Sequence, residues 1–242
     1  MAEALLQVSN VAKHFGGFTA LSQVSLEIRA GERFGLIGPN GSGKTTLINC
    51  VSGMLRNDGG SIEFDGEEIS SLPAYHRTRR GIARSFQIPR PFASMTVLEN
   101  LVVPLEYVRH RGTLHIADTR AEALEILRTV GLQDKAQTQS NRLTQVELRK
   151  LELARAMAAR PRLLISDESM AGLSGNEVDE VLAILRTLNE AGITIIMIEH
   201  IMQAVMRFSQ RVVCLDAGRI ICEGTPEAIV RNPDVQRAYL GA

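Results

Sequence analysis

The 242 residues carry 27 Lys+Arg against 27 Asp+Glu and 45% hydrophobic side chains. That is enough to fill one large core, and too balanced to create a global field that draws a protein onto nucleic acid or anionic lipid. Three cysteines, Cys50, Cys214 and Cys222, are odd in number and lack metal-ligand spacing, which suits a reducing compartment. No apolar run reaches the length of a membrane span, and the N-terminus lacks the basic start of a secretory signal, so a soluble chain is expected, with any membrane role exerted through partners.

Between Leu5 and Ile28 the apolar residues alternate with polar ones, as in half-exposed antiparallel strands. The run His14-Phe15-Gly16-Gly17-Phe18 interrupts them in a chain with only 4% aromatic residues, which draws attention to Phe15. Its ring either stacks on a nucleotide base or packs a core or turn, and on the residues alone the second reading is preferred. A strand over Arg33-Phe34-Gly35-Leu36-Ile37 then leads into Gly38-Pro39-Asn40-Gly41-Ser42-Gly43-Lys44-Thr45, which meets the pattern G-x-x-x-x-G-K-[ST] at every fixed position. Glycines let successive N–H groups turn towards phosphate oxygens, and a helix opening near Lys44 adds the positive end of its dipole. Lys44 is expected to neutralise β/γ charge, the Thr45 hydroxyl to ligate Mg²⁺, and Thr46 to complete the nucleotide-binding stretch.

Downstream, Ser61 to Phe64 reads as a strand returning to the antiparallel layer. The arginine-rich stretch from Tyr75 to Arg84 reads as a solvated helix face without chemistry. Two prolines after Gln87 end a core element and open a loop. From Met95 to Arg160 the pattern becomes helical, with Arg109 to Thr113 as an exposed loop and an amphipathic helix over Val146 to Met157. Leu163-Leu164-Ile165-Ser166 fits a buried parallel strand that delivers Asp167 and Glu168 at its C-terminal end, the edge where open α/β sheets bind ligands. A helix and a second buried strand, Ile193 to Ile198, then deliver Glu199 and His200, and such alternation supports a parallel sheet. A hairpin over Val212 to Cys222, a helix capped by Thr225 with Pro226 in its first turn, and a short tail after Asn232-Pro233 complete the chain.

Asp167 is the acidic group expected to hold Mg²⁺ indirectly beside a phosphate loop. Glu168 either polarises an attacking water or is a solvated strand-end carboxylate, His200 either contacts the γ-phosphate or is structural, and Gln87 alone means little. Together they describe phosphoryl transfer to water.

This ordered set resembles the ATP-binding cassette family from about Gln7 to Gly241. The resemblance implies a phosphate-loop NTPase (RecA-like) α/β core over 1–90 and 160–242, with an antiparallel β layer and an inserted helical subdomain over 91–159. It implies an adenine-stacking Phe15, a Mg²⁺- and partner-contacting Gln87, a catalytic Glu168, a dimer-contact loop over Ala171 to Ser174 and a switch His200. Finer features, above all the tail from Glu223-Gly224-Thr225-Pro226 to Ala238-Tyr239-Leu240-Gly241, resemble ATPase subunits of branched-chain amino-acid uptake systems. ATP and Mg²⁺ are then the expected cofactors. The expected partners are membrane permease subunits and a second ATPase subunit, in a heterodimer by preference or else in a homodimer, with a periplasmic binding protein acting indirectly. No nucleic acid is expected, and the place implied is the cytoplasmic face of the inner membrane.

One departure bears on activity. Where the subgroup has L-x-x-G-Q, this chain has Leu143-Thr144-Gln145-Val146-Glu147. In the family this motif caps the partner's γ-phosphate. Thr144 keeps a hydroxyl, but Val146 adds bulk and would be strained at any positive φ. A heterodimer with one weakened site is expected, the alternative being a weakly active or non-hydrolysing nucleotide module. Ser166, and Ser169-Met170 in place of a proline-containing turn, are milder departures.

Overall fold

The computed structural model describes residues 4–86, 88–108 and 116–240. Strands β1 (Ala4–Phe15) and β2 (Phe18–Arg29) form a hairpin that pairs Phe15 with Phe18 across Gly16-Gly17. Gly16 has φ 58°, a conformation that glycine adopts without a Cβ penalty. Alternation buries Leu6, Val8 and Val11 of β1 with Val24, Leu26 and Ile28 of β2. β3 (Arg33–Ile37) leaves this layer, α1 (Lys44–Ser52) follows the Gly-rich loop, and β4 (Gly59–Phe64) returns antiparallel to β1 with β5 (Glu67–Glu68) beside it. The layer has the order β2-β1-β4-β5.

After α2 (Ala74–Arg79) and β6 (Ile82–Ser85) come the α-helices α3 (Val97–Val108), α4 (Ile116–Thr129) and α5 (Gln145–Met157), with two single-turn 3₁₀ helices before α5. The chain then alternates β7 (Leu163–Asp167), α6 (Gly175–Glu190), β8 (Thr194–Ile198) and α7 (Met202–Phe208). It ends with β9 (Arg211–Asp216), β10 (Arg219–Gly224), α8 (Pro226–Arg231) and α9 (Pro233–Leu240). The second sheet runs β10-β9-β3-β8-β7-β6, parallel except for the edge pair β9 and β10. β7 and β8 are buried at every position, as expected of strands covered on both faces.

The two faces feed separate cores. Leu164, Ile195, Met197 and Val212 point into one with residues of α3 to α8, while Leu163, Ile165, Ile196 and Val213 point into the other with α1 and the antiparallel layer. In parallel register, Asp167 lies beside Ile198, Leu36 beside Ile198, and Ile37 beside Cys214. The C-terminal ends of β3, β7 and β8 therefore meet at one edge.

Two expectations need correction. The stretch from Tyr75 to Arg84 is not a solvated face: it divides into α2 and β6, and Arg77 is 1% exposed. Its guanidinium donates to the carbonyls of Cys50, Val51, Ser70 and Leu72 at 2.6 to 3.0 Å, and so satisfies the acceptors that α1 leaves unpaired at its C-terminus. The stretch after Asn232 is also not an irregular tail but the helix α9. Asn232 closes α8 and its Oδ1 accepts from the N–H groups of Asp234 and Val235, so the Asn-Pro pair that stops one helix starts α9, with Pro233 in its first turn. The loop expected over Arg109 to Thr113 lies outside the described residues.

Candidate functional site

β3 delivers the Gly-rich loop at the sheet edge. α1 opens with the Leu47 N–H donating to the Gly43 carbonyl at 2.9 Å, so Lys44, Thr45 and Thr46 carry N–H groups with no acceptor within the helix. Gly43 turns the corner at φ 105°, and a Cβ there would lie 2.7 Å from the Ala20 carbonyl oxygen; only glycine fits. The Lys44 ammonium folds back onto the carbonyls of Gly38 and Pro39, at 2.7 and 3.0 Å. Burial pushes its pKa down, against the raising influence of Glu168. The Ser42 hydroxyl is buried without a hydrogen-bond partner. A ring of backbone donors, one ammonium and an orphaned hydroxyl make a donor set suited to phosphate oxygens.

Glu168 follows β7 with φ 46°, a left-handed conformation that costs a side-chain-bearing residue roughly 1–2 kcal/mol. Its N–H donates to the Ile198 carbonyl at 2.8 Å, and its Oε1 lies 2.8 Å from His200 Nε2. The turned backbone thus brings together the residues that end two neighbouring strands. Asp167 is nearly buried and accepts from Arg84 of β6 at 2.5 Å, while Arg84 also donates to Asn49 of α1 at 2.6 Å. Arg84, read from sequence as part of an inert cluster, is therefore a site residue.

An open cleft of about 250 Å³ is lined by Phe15, Asn40, Gly41, Ser42, Gly43, Lys44, Thr45, Thr46, Glu168 and His200 together with Phe18 and Ala20. Phe15 is 47% exposed, with the Lys13 ammonium 5.6 Å from its ring centroid, so it sits at the hairpin turn and not in the core. Phe18, its partner across the hairpin, adds a second ring that the sequence reading passed over. Thr45, Asp167 and Glu168 also line an adjoining groove of about 640 Å³. A hydroxyl and two carboxylates on one groove fit a hard cation held beside phosphate. Gln87 lies outside the described residues. Thr144 does not line the cleft. It is exposed at the N-terminus of α5, where its hydroxyl accepts from the Glu147 N–H and the Glu147 carboxylate accepts from the Thr144 N–H at 2.8 Å. Val146 sits inside α5 and is not among the residues with positive φ, so the strain foreseen for it is absent and only its bulk remains.

The sequence profile of the ABC transporter family matches residues 21–171, across the loop, α5 and the strand-end carboxylates. The chain belongs to the ABC transporter family. A second profile, branched-chain amino acid ATP-binding cassette transporter, matches residues 219–242. The cassette is 39% identical over 255 residues to the high-affinity branched-chain amino acid transport ATP-binding protein BraF of Pseudomonas aeruginosa, covering 100% of this chain and 99% of that one. It is 40% identical, at the same coverage, to the protein of that description named LivG from Salmonella typhimurium. Among solved structures, the ADP conformation of MJ1267, an ATP-binding cassette of an ABC transporter, superposes with TM-score 0.90 at 30% identity over 100% of both chains. Dimeric MJ0796 bound to ADP and Pi superposes with TM-score 0.82 at 27% identity, over 91% of this chain and 98% of that one. The architecture is thus the ABC form of the phosphate-loop NTPase fold. Among the described residues, no helix is long and apolar enough to cross a membrane.

Behind the cassette's strand-end carboxylates lies a buried polar chain built from its departures. Ser166 and Ser169 meet through their hydroxyls at 2.9 Å, Ser169 reaches Glu199 at 3.4 Å, and Glu199 accepts from the Met170 N–H at 2.9 Å. Burial, reinforced by the charges of Glu168 and Asp167, pushes the Glu199 carboxyl up to about 7, against the pull of the Met170 N–H. Two serines that looked like separate substitutions are one matched pair.

Proposed function

We propose that this cassette binds Mg²⁺-ATP in the loop cleft and hydrolyses it to power import of branched-chain amino acids through membrane permeases. The observation that carries this reading is the Glu168–His200 contact at 2.8 Å on the rim of a cleft that Lys44 and Phe15 also line. Phe15 stacks on the base, with Phe18 beside it. The amides of the loop beyond Gly38, up to Thr46, take the phosphates, and the Lys44 ammonium exchanges the carbonyls of Gly38 and Pro39 for β/γ oxygens. Thr45, Asp167 and Gln87 are the residues to hold Mg²⁺, which when bound neutralises charge on the β/γ oxygens. Glu168 takes the proton of the attacking water, whose oxygen bonds to the γ-phosphorus as the bond to the β-bridging oxygen breaks, giving ADP and phosphate, and the proton then passes to solvent. His200 holds that carboxylate in place.

The permease is assigned to the adjoining groove, where Met54, Phe86 and Ile88 supply apolar surface beside Arg84, Arg90 and Arg155. The cytoplasmic face of the membrane is the location that accords with this reading. A second cassette is assigned to the Thr144 face. Similarity to high-affinity branched-chain amino acid transport ATP-binding proteins supports the solute class. Self-capping of α5 by Glu147 and the bulk of Val146 make the site completed by this chain in its partner the weaker of two, which favours a heterodimer. In the assembled transporter, Lys44→Ala should abolish nucleotide binding and uptake. Glu168→Gln should keep ATP bound while lowering turnover by 10²-fold or more, the lower range for a general base, and Val146→Gly should raise it. Unchanged phosphate release in Glu168→Gln would reject the assigned chemistry.

A further inference from the structure

Gly38 is the residue through which β3 becomes the loop. It is buried, its φ is 149°, and a Cβ there would lie 2.1 Å from the Leu215 carbonyl oxygen of β9. The corner is therefore fixed tightly against its neighbour. The parallel ladder stops one residue short of it, with Ile37 beside Cys214 and Leu36 beside Ile198, so the Gly38 N–H projects beyond the sheet pairing. Its acceptor comes from the far end of the chain: the Tyr239 hydroxyl of α9, 2.7 Å away and 201 positions downstream. The Gly38 carbonyl is held by Lys44, also at 2.7 Å. One residue is thus gripped from both sides, by the terminal helix and by the lysine that must leave when phosphate arrives.

α9 is anchored well enough to serve as a strut. Asn232 caps it, Val235 is buried in the core, and the helix packs on α8 and β10. Burial pushes the Tyr239 hydroxyl up to about 12, against the pull of the Gly38 N–H, so it stays a neutral acceptor throughout the physiological range. The ring is 40% exposed; the contact that places the hydroxyl is polar rather than part of the apolar core.

We propose that Tyr239 is a positioning residue for the phosphate loop. Its hydroxyl keeps the Gly38 corner in place when Lys44 exchanges the Gly38 carbonyl for phosphate oxygens, so the loop need not reorganise as nucleotide enters. The terminal segment, matched by its own family profile over residues 219–242, thereby acquires a task at the nucleotide site. This rests on the assignment of the loop as the ATP site, and the experiment separates the two.

In the full-length chain, titration with Mg²⁺-ATP and with Mg²⁺-ADP should show Tyr239→Phe weakening both by about 3- to 10-fold, the range of one net hydrogen bond. In the assembled transporter, the KM for ATP should rise by the same factor while kcat holds within about twofold, because Glu168 and His200 follow β7 and β8, whereas α9 packs on α8 and β10. Amide exchange should quicken at Gly38 and the loop but not in β9 or β10. Equal affinities for the two proteins would overturn the proposal, as would faster exchange spread through β10 and α8, which signals undocking of the helix. Lys44→Ala serves as the reference. Wild-type affinity in that variant rejects the ATP-site assignment itself, whereas loss of binding there with none in Tyr239→Phe rejects only the role of the tyrosine.

Discussion

Arg84 and Asp167 meet at 2.5 Å with both side chains nearly out of solvent. A buried ion pair is a modest source of stability while intact, but removing one partner strands the other charge in a poor solvent. Arg84→Ala should therefore destabilise the cassette by about 3–5 kcal/mol, with Arg84→Ala/Asp167→Asn recovering part of that loss in urea unfolding. Glu199 gives a second residue-scale prediction, with a definite sign. Its carboxyl rises from 4.5 to about 7 on folding, so the native state binds the proton more tightly than the unfolded chain. The stability it contributes is present at low pH, declines as pH rises from about 4.5 to about 7, and is constant above. Glu199→Gln keeps an acceptor for the Met170 N–H without titrating. The melting temperature of the wild type should therefore fall relative to the variant between pH 5 and pH 7.5, and parallel curves would contradict the assignment.

What the sequence shows at this scale follows sequence distance. Lys44, Asp167, Glu168 and His200 are readable because each sits in or directly after a local pattern, a Gly-rich turn or an apolar strand, and the parallel register then brings the strand ends together without further instruction. Arg84 is hidden because its partner is 83 positions away, and a cluster of arginines looks the same whether solvated or buried. Phe18 is hidden by its neighbour: without the two-residue turn between Phe15 and Phe18, nothing shows that the rings share a cleft.

At the scale of elements, caps decide where helices stop. α1 lacks a basic residue in its last turn, and its C-terminal carbonyls are served by Arg77 from another helix. Arg77→Met should cost about 2–4 kcal/mol in chemical unfolding, since several acceptors are left unpaired and one long apolar stem is exchanged for another. Arg77→Lys should recover little, because an ammonium cannot reproduce the planar fork. The capping box at Thr144 is the same device facing outward. Thr144 and Glu147 satisfy each other's backbone amides and place a carboxylate at the helix N-terminus of the face we assign to the second cassette. Glu147→Gln should remove that charge while keeping the box. Faster phosphate release from the assembled transporter is the expected outcome. The helix pattern over Val146 to Met157 was legible, and so was the Thr225-Pro226 start. The helix after Asn232 was not, since Asn-Pro signals a stop as strongly as it signals a new start.

For the molecule as a whole, the parallel sheet divides two cores, and its strand order sets the sequence in which the site can form. β3, which carries the phosphate loop, lies between β8 and β9, so its only neighbours in the sheet are synthesised long after it. Such pairing makes folding slow and leaves hydrophobic strands waiting for partners. A ribosome that has made the first two-thirds of this chain has already released every residue of the Gly-rich turn, yet the emerging polypeptide holds no socket for nucleotide. Competence to bind therefore waits on β8 and β9, the two strands that flank β3 in the sheet and hold the loop's base in register.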